Sequence, residues 1–261
     1  MPFLPRLLLI TAFACAVPLL AACARESQVD MFYAVDGFGT QLLRGEETVS
    51  LAEAQFVVGQ PYYIGGQDGA LGSARVTAIE GTGCNEPEFT LVLATTAPRH
   101  LFVAYKDPVQ FVPLARWPTA YGALAPQIEP VVRRDGGLGT VVIDQIWRFK
   151  APGIRGYRFI AVAHSVRDLE YPGFGQPGDF DGIFMFKEDA GEVSLLAHRS
   201  TVVESADGFR VLPFPFAAAI DPKDHRLELF VYFSYYEGEK VVGYDVSAGR
   251  LSERTQASCS L

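Results

Sequence analysis

Four carboxylates lie close together in one aromatic-rich segment of the chain, at residues 168–181. They are Asp168, Glu170, Asp179 and Asp181. Two carboxylates beside aromatic rings can hydrolyse glycosidic bonds, because one serves as acid and the other as base or nucleophile. The same side chains can also form an ion- or ligand-binding loop, or a solvated turn between strands. We take the solvated turn as the first interpretation and keep the four residues as a candidate ligand or ion loop.

The other residue types that could do chemistry show no catalytic or metal-binding spacing. The four histidines lack the close His, Asp and Glu spacing of a metal site, and no Cys-x-x-Cys occurs. There is also no Gly-x-Ser-x-Gly motif to anchor a serine hydrolase. We therefore predict no catalytic residue, no metal and no cofactor. His164 and His198 are expected to be hydrogen-bonded structural residues at strand ends.

Two adjacent tyrosines, Tyr235 and Tyr236, end a strongly apolar segment. Neighbouring residues of a strand point to opposite faces, so one of the two rings is expected to meet solvent or a neighbouring loop. Tyrosine combines apolar area with a polar tip, which favours it at contact surfaces. This pair is the candidate contact surface.

The elements that position these residues are predicted to be β-strands. Segments rich in branched and aromatic residues recur along the chain, among them 89–94, 101–105, 140–149, 158–163 and 227–232. The best helical segment, 121–134, is interrupted by Pro126 and Pro130, so it is interpreted as a connector. We predict an all-β protein, with more than about a third of its residues in strands and little helix.

An internal repeat suggests how the strands are arranged. Residues 183–194 align without gaps with residues 241–252, and each copy has an aromatic residue four positions before an Ala-Gly turn. The pattern predicts a strand, a tight turn and a returning strand, because glycine accepts a positive φ. Successive meanders of this kind are typical of propeller blades. We predict a propeller-like stack of antiparallel meanders, with a β-sandwich containing two unrelated hairpins as the alternative.

The first 22 residues have the composition of an export signal. Arg6 precedes the apolar run 7–20, which is shorter than the roughly 20 residues of a membrane-spanning helix. The run ends in Leu20-Ala21-Ala22-Cys23, which closely resembles the lipobox of bacterial lipoproteins. The resemblance implies cleavage before Cys23 and attachment of acyl chains to that residue.

This resemblance and the charge of the chain limit where the protein is expected to be located and which partners it is expected to have. A lipidated protein is expected in the cell envelope, at the outer membrane facing the periplasm or the surface if the host has two membranes. The formal net charge is −8, which excludes nucleic acid as a partner because such binding rests on clustered Lys and Arg. The expected partners are the membrane, through the anchor, and an envelope protein or a glycan.

The chain divides into five predicted segments. These are a signal peptide (1–22), the lipidated cysteine and a tether (23–38), an N-terminal β half (39–120), a Pro- and Gly-containing connector (121–137) and a C-terminal β half with the hairpin repeat (138–261). Cys84 and Cys259 are the cysteines left after cleavage and acylation. An oxidising envelope compartment favours a disulfide bond between them.

Residues 218–259 resemble the C-terminal part of secreted bacterial proteins with FG-GAP or VCBS-like blades. The resemblance rests on an acidic loop, Leu227-Glu228 before an apolar strand, and an aromatic-Glu-Gly turn before a terminal hairpin. It implies a blade architecture and a binding or scaffold role. The corresponding calcium loop keeps Asp221, Asp224 and Glu228 but has no glycine, and Ca²⁺ needs six to eight oxygen ligands. No metal is therefore expected there.

Two hypotheses about function remain. The first is a non-enzymatic cell-envelope lipoprotein whose β domain binds or organises a partner. The alternative is a lipid-anchored polysaccharide hydrolase that uses the carboxylates of residues 168–181.

Overall fold

The computed structural model describes thirteen stretches of the chain, and about two-thirds of the described residues lie in strands. The stretches are 30–35, 40–42, 56–80, 90–95, 101–117, 124–136, 140–153, 155–166, 175–203, 210–223, 225–235, 238–247 and 249–260. Within these stretches, sixteen strands form three antiparallel sheets with one helix packed beside them, and none of the sheets closes into a barrel. The predicted all-β class is confirmed.

Sheet 1 is built from the first six strands. They are β1 (Met31–Val35), β2 (Thr40–Leu42), β3 (Pro61–Gly66), β4 (Gly69–Glu80), β5 (Thr90–Thr95) and β6 (Leu101–Tyr105). Their order across the sheet is β2-β1-β6-β3-β4-β5, so the last strand in sequence lies in the interior of the sheet. β6 pairs with β1 on one side and with β3 on the other.

Sheets 2 and 3 each contain one four-stranded meander. Sheet 2 comprises β9 (Thr140–Phe149), β10 (Arg158–Val166), β11 (Phe180–Asp189) and β12 (Glu192–Val202). Sheet 3 comprises β13 (Phe214–Ile220), β14 (Leu227–Tyr235), β15 (Gly238–Ser247) and β16 (Arg250–Ser260). The short strands β7 (Gln110–Phe111) and β8 (Ala115–Arg116) extend sheet 3 beside β13 and sheet 2 beside β9, respectively.

The three sheets pack in layers, with sheet 3 in the middle. One core cluster joins Trp147 and Met185 of sheet 2 to Leu229 of sheet 3. Another joins Tyr33 of sheet 1 to Phe230 of sheet 3, so alternate residues of β14 face opposite neighbours. Both faces of sheet 3 are thereby buried, which makes this a stack of three layers rather than the two-layer sandwich of the alternative.

The two predicted hairpins occupy equivalent positions, as the third and fourth strands of successive meanders. Their turns contain Gly191 at φ 88° and Gly249 at φ 83°, the positive values that the sequence predicted. A register shift follows Met185 in the first hairpin and Gly243 in the second, and these two residues are aligned in the repeat. The repeat therefore extends to a shared irregularity of the backbone.

The segment interpreted as a connector contains a helix, α1 (Ala125–Gly136), with Pro130 inside it. A proline in a helix removes one hydrogen bond and crowds the preceding turn. Burial outweighs this cost here, because Ile128 and Val132 are completely buried against the outer face of sheet 2. The interpretation of these residues as non-helical was wrong for that reason.

Within the part of the chain that the structure describes, no helix is long and apolar enough to cross a membrane.

Candidate functional site

A charged cleft lies at the end of the interface between sheet 1 and sheet 3. It has a volume of about 370 Å³, and we call it the seam cleft. Asp30 and Met31 line it where sheet 1 begins, and Lys223 lies in the turn between β13 and β14. The floor is formed by Tyr105 at the end of β6 and Glu228 near the start of β14. The volume falls within the range of small-molecule sites.

A short hydrogen bond joins the two sheets at the floor of the seam cleft. The hydroxyl of Tyr105 donates to Oε2 of Glu228 at 2.5 Å. Burial and the neighbouring Glu228 charge raise the pKa of Tyr105 well above its ordinary value. Burial also raises the pKa of Glu228, whereas the hydrogen bond from Tyr105 and the charge of Arg226 lower it. The Tyr105 hydroxyl is therefore a neutral donor and not an activated nucleophile.

Two arginines complete the floor by pairing with two carboxylates. Nη1 of Arg254 lies 2.9 Å from Oε1 of Glu228 and 3.4 Å from Oδ1 of Asp245. Nε of Arg226 lies 3.1 Å from the same Asp245 oxygen. Glu228 and Asp245 are register partners on neighbouring strands, so their side chains share one face of sheet 3. In this network the carboxylates of Glu228 and Asp245 are matched by the guanidinium groups of Arg226 and Arg254.

The mouth of the seam cleft is crossed by an exposed ion pair. Nζ of Lys223 lies 3.3 Å from Oδ2 of Asp107, which joins the turn of sheet 3 to the loop after β6. The backbone of Lys223 is fixed in turn by donation to Oδ1 of Asp221 at 2.8 Å. Exposed pairs of this kind contribute little stability, so a ligand can open this one at small cost.

The structure describes two of the four carboxylates predicted as a candidate ligand or ion loop. Asp168 and Glu170 lie outside the described residues, whereas Asp179 and Asp181 are held together by Arg210. The guanidinium donates to Oδ2 of Asp179 at 2.7 Å and to Oδ1 of Asp181 at 3.0 Å. We call this arrangement the Arg210 clamp. The interpretation of this loop as a solvated turn is wrong for Asp179, because the side chain of Asp179 is completely buried.

Asp179 also ties together the ends of several strands. Its second oxygen accepts a hydrogen bond from Ser165 of β10 at 3.2 Å, and the Ser165 hydroxyl accepts one from the backbone of Phe180 at 2.9 Å. Backbone bonds link Asp179 to Gln176 and Val203. Arg210 lies in the connection to sheet 3, so the clamp fastens this connection to the end of sheet 2. This geometry gives Asp179 a structural role.

The predicted structural role of His164 agrees with its surroundings. The side chain of His164 is 10% exposed, and its Nδ1 lies 2.7 Å from Oδ2 of Asp144 on the neighbouring strand. The prediction that His198 lies at a strand end was wrong, because it lies in the interior of β12, where its ring stacks on Phe184 with centroids 5.7 Å apart. Across the described ranges, no group of three or more His, Cys, Asp or Glu side chains is arranged to hold a metal ion.

A second cavity brings two of the predicted residues together. Asp181 and Tyr235 both line a pocket of about 210 Å³ between sheets 2 and 3, which we call the tyrosine pocket. Tyr235 is 45% exposed, in agreement with the expectation that one ring of the tyrosine pair meets solvent. Its neighbour Tyr236 lies outside the described residues.

The residues of the seam cleft were missed by sequence reasoning, apart from Glu228 and Asp221 in the degenerate acidic loop. Tyr105 and Glu228 are 123 positions apart, so no local spacing reveals their contact. The one available signal was an acid within a strongly apolar strand, because such a residue needs a partner when it is buried. No family model matches the chain, and neither the curated proteins nor the solved structures give a match.

The predicted disulfide between Cys84 and Cys259 stays a prediction, since Cys84 and the side chain of Cys259 lie outside the described residues. We expect thiol alkylation of the mature protein, purified without reductant, to label neither residue until a reductant is added. Replacement of Cys259 by Ser should lower the free energy of unfolding by about 2–5 kcal/mol, because it releases a long closed loop. Labelling of both cysteines before reduction would rule the bond out.

Proposed function

We propose that this protein is a lipid-anchored, non-enzymatic binding protein of the cell envelope, and that the seam cleft holds a small zwitterionic ligand. The observation that carries the proposal is the mixed charge of a cleft of ligand size. Lys223, whose exposed pair with Asp107 opens at small cost, and the donors of Arg254 that its pairs with Glu228 and Asp245 leave over can meet an anionic group, and the carboxylates of Asp30 and Asp221 can accept from an amine. The wall between them includes the apolar residues Met31, Val109 and Ala219.

The exposure of these groups supports binding rather than catalysis. The side chains of Lys223 and Arg254 are 77% and 40% exposed, so both can reach a ligand. Glu228 is only 15% exposed, and its oxygens are engaged by Tyr105 and Arg254. Glu228 is therefore engaged within the floor of the seam cleft, whereas the side chains of Lys223 and Arg254 are accessible to a ligand.

The position of the seam cleft fits an anchored protein. Asp30 and Met31 line the cleft, and both belong to the segment predicted as the tether (23–38), of which residues 31–35 form β1 of sheet 1. If acyl chains are attached to Cys23, residues 23–30 span at most about 25 Å whatever their conformation. The cleft would then face ligands close to the membrane surface, where molecules with both an amine and an anionic group are abundant as headgroups.

Titration calorimetry with phosphoethanolamine, ethanolamine and inorganic phosphate tests the cleft. We expect phosphoethanolamine to bind at least about tenfold more tightly than either fragment, because only it satisfies both charged sides. Replacement of Lys223 by Ala should weaken that binding about tenfold by removing the accessible ammonium group. Lys187→Ala is the matched control, since Lys187 is an exposed lysine of β11 far from the cleft in the sheet order.

Two results would overturn the ligand assignment. One is equal affinity for phosphoethanolamine and phosphate, which would mean that the amine is not recognised. The other is an absence of measurable binding for all three compounds at millimolar concentration.

A further inference from the structure

The tyrosine pocket is the open end of the interface between the two repeated meanders. Sheet 2 contributes Asp181, Arg199 and Thr201, which register pairing places on one face, and sheet 3 contributes Tyr235 and Tyr244. Beneath these residues the two sheets form a shared apolar core. The pocket therefore has an apolar base with polar groups around its rim, which is the usual composition of a small-molecule site.

The charges at the rim are already balanced within the protein. Asp181 is paired with Arg210 at 3.0 Å, and Nη2 of Arg199 lies 2.6 Å from Oε1 of Glu253. An ionic ligand would have to break one of these pairs, whereas a neutral ligand can share their remaining hydrogen-bonding capacity. A carboxylate accepts about four hydrogen bonds and a guanidinium donates five, so paired groups still serve hydroxyl groups of a ligand.

The aromatic groups favour a ligand with an apolar face. Tyr235 is 45% exposed at the rim, and Tyr244 is buried beside it with Arg199 lying 5.8 Å above its ring. Burial raises the pKa of both tyrosines, so their hydroxyls are neutral donors and acceptors. An aromatic ring with a hydroxyl tip contacts the C–H face of a sugar ring while hydrogen bonding at its edge.

From these observations we infer that the tyrosine pocket binds one neutral sugar ring of a glycan, with the ring stacked on Tyr235 and its hydroxyls bonded to Asp181, Arg199 and Thr201. The volume of about 210 Å³ lies below that of sites for drug-sized ligands, so it suits a single ring of a longer chain. The site is separate from the seam cleft and does not depend on lipid anchoring.

Titration of the mature protein with maltose, cellobiose and N,N′-diacetylchitobiose, followed by calorimetry and saturation-transfer NMR, tests this site. We expect at least one disaccharide to bind, with saturation strongest on the C–H protons of one ring. Tyr235→Ala should weaken binding about tenfold, whereas Tyr235→Phe should retain it within about threefold because the stacking surface remains.

Tyr63→Ala is the matched control, because Tyr63 is a tyrosine with 47% exposure on sheet 1. Thr201→Val gives an independent probe, since Thr201 is an exposed strand residue whose replacement keeps its shape. Circular dichroism of each variant verifies the fold. The inference is overturned if none of the three disaccharides binds at about 10 mM, or if binding is unchanged in both Tyr235→Ala and Thr201→Val. Binding to inorganic phosphate and not to the sugars would equally contradict a neutral ligand.

Discussion

Replacement of Asp179 by Asn is expected to lower the free energy of unfolding by about 3–5 kcal/mol, because it breaks a buried ion pair on one side only. The Arg210 side chain is 5% exposed and would keep its charge, with Oδ1 of Asp181 3.0 Å from its Nη1, while the charge of Asp179 would be lost. Urea denaturation followed by circular dichroism measures the effect. The reciprocal variant Arg210→Met should cost a similar amount, because it leaves the Asp179 charge buried.

The size of this effect depends on burial, which gives a direct control. The Lys223–Asp107 pair is exposed on both sides, so Asp107→Asn should change the free energy of unfolding by less than about 1 kcal/mol. The double variant Asp179→Asn with Arg210→Met should lose less than the sum of the single variants, because the two groups interact directly. Single-variant losses below about 1 kcal/mol would contradict a structural clamp.

Replacement of Cys23 by Ala is expected to abolish retention of the protein at the membrane. Acyl chains each contribute about 0.8 kcal/mol per buried CH₂, so their loss removes nearly all of the membrane affinity that the proposed anchor supplies. Fractionation of cells, with mass spectrometry of the amino-terminal peptide, measures both location and lipid. The wild-type peptide should carry the mass of the acyl chains, and the variant peptide should lack it.

A matched control distinguishes lipidation from loss of a thiol elsewhere. Cys259→Ala removes a cysteine at the other end of the chain; it opens the predicted disulfide and lowers stability, but it keeps Cys23 and should leave membrane retention unchanged. A Cys23→Ala protein that still fractionates fully with membranes would refute the anchor. The ligand experiments on the seam cleft and the tyrosine pocket use purified protein, so their outcome is independent of this one.

The local features of the fold were predictable from the sequence. Strands follow from branched and aromatic runs, and the turns at Gly191 and Gly249 follow from glycine's tolerance of positive φ. The gapless repeat correctly anticipated two equivalent hairpins, because aligned side chains and turns impose the same strand register. The exposed ring of Tyr235 follows from the alternation of side chains along a strand.

Only the tertiary structure decided which charged groups meet. Asp179 contacts Arg210, which is 31 positions away in the sequence, and Tyr105 contacts Glu228, which is 123 positions away. No spacing rule connects residues so far apart. The helix at residues 125–136 was likewise decided by tertiary contacts, because burial of Ile128 outweighs the cost of Pro130. Sequence determines backbone preference over a few residues, whereas ion pairs and clefts arise where layers of sheet bring distant segments together.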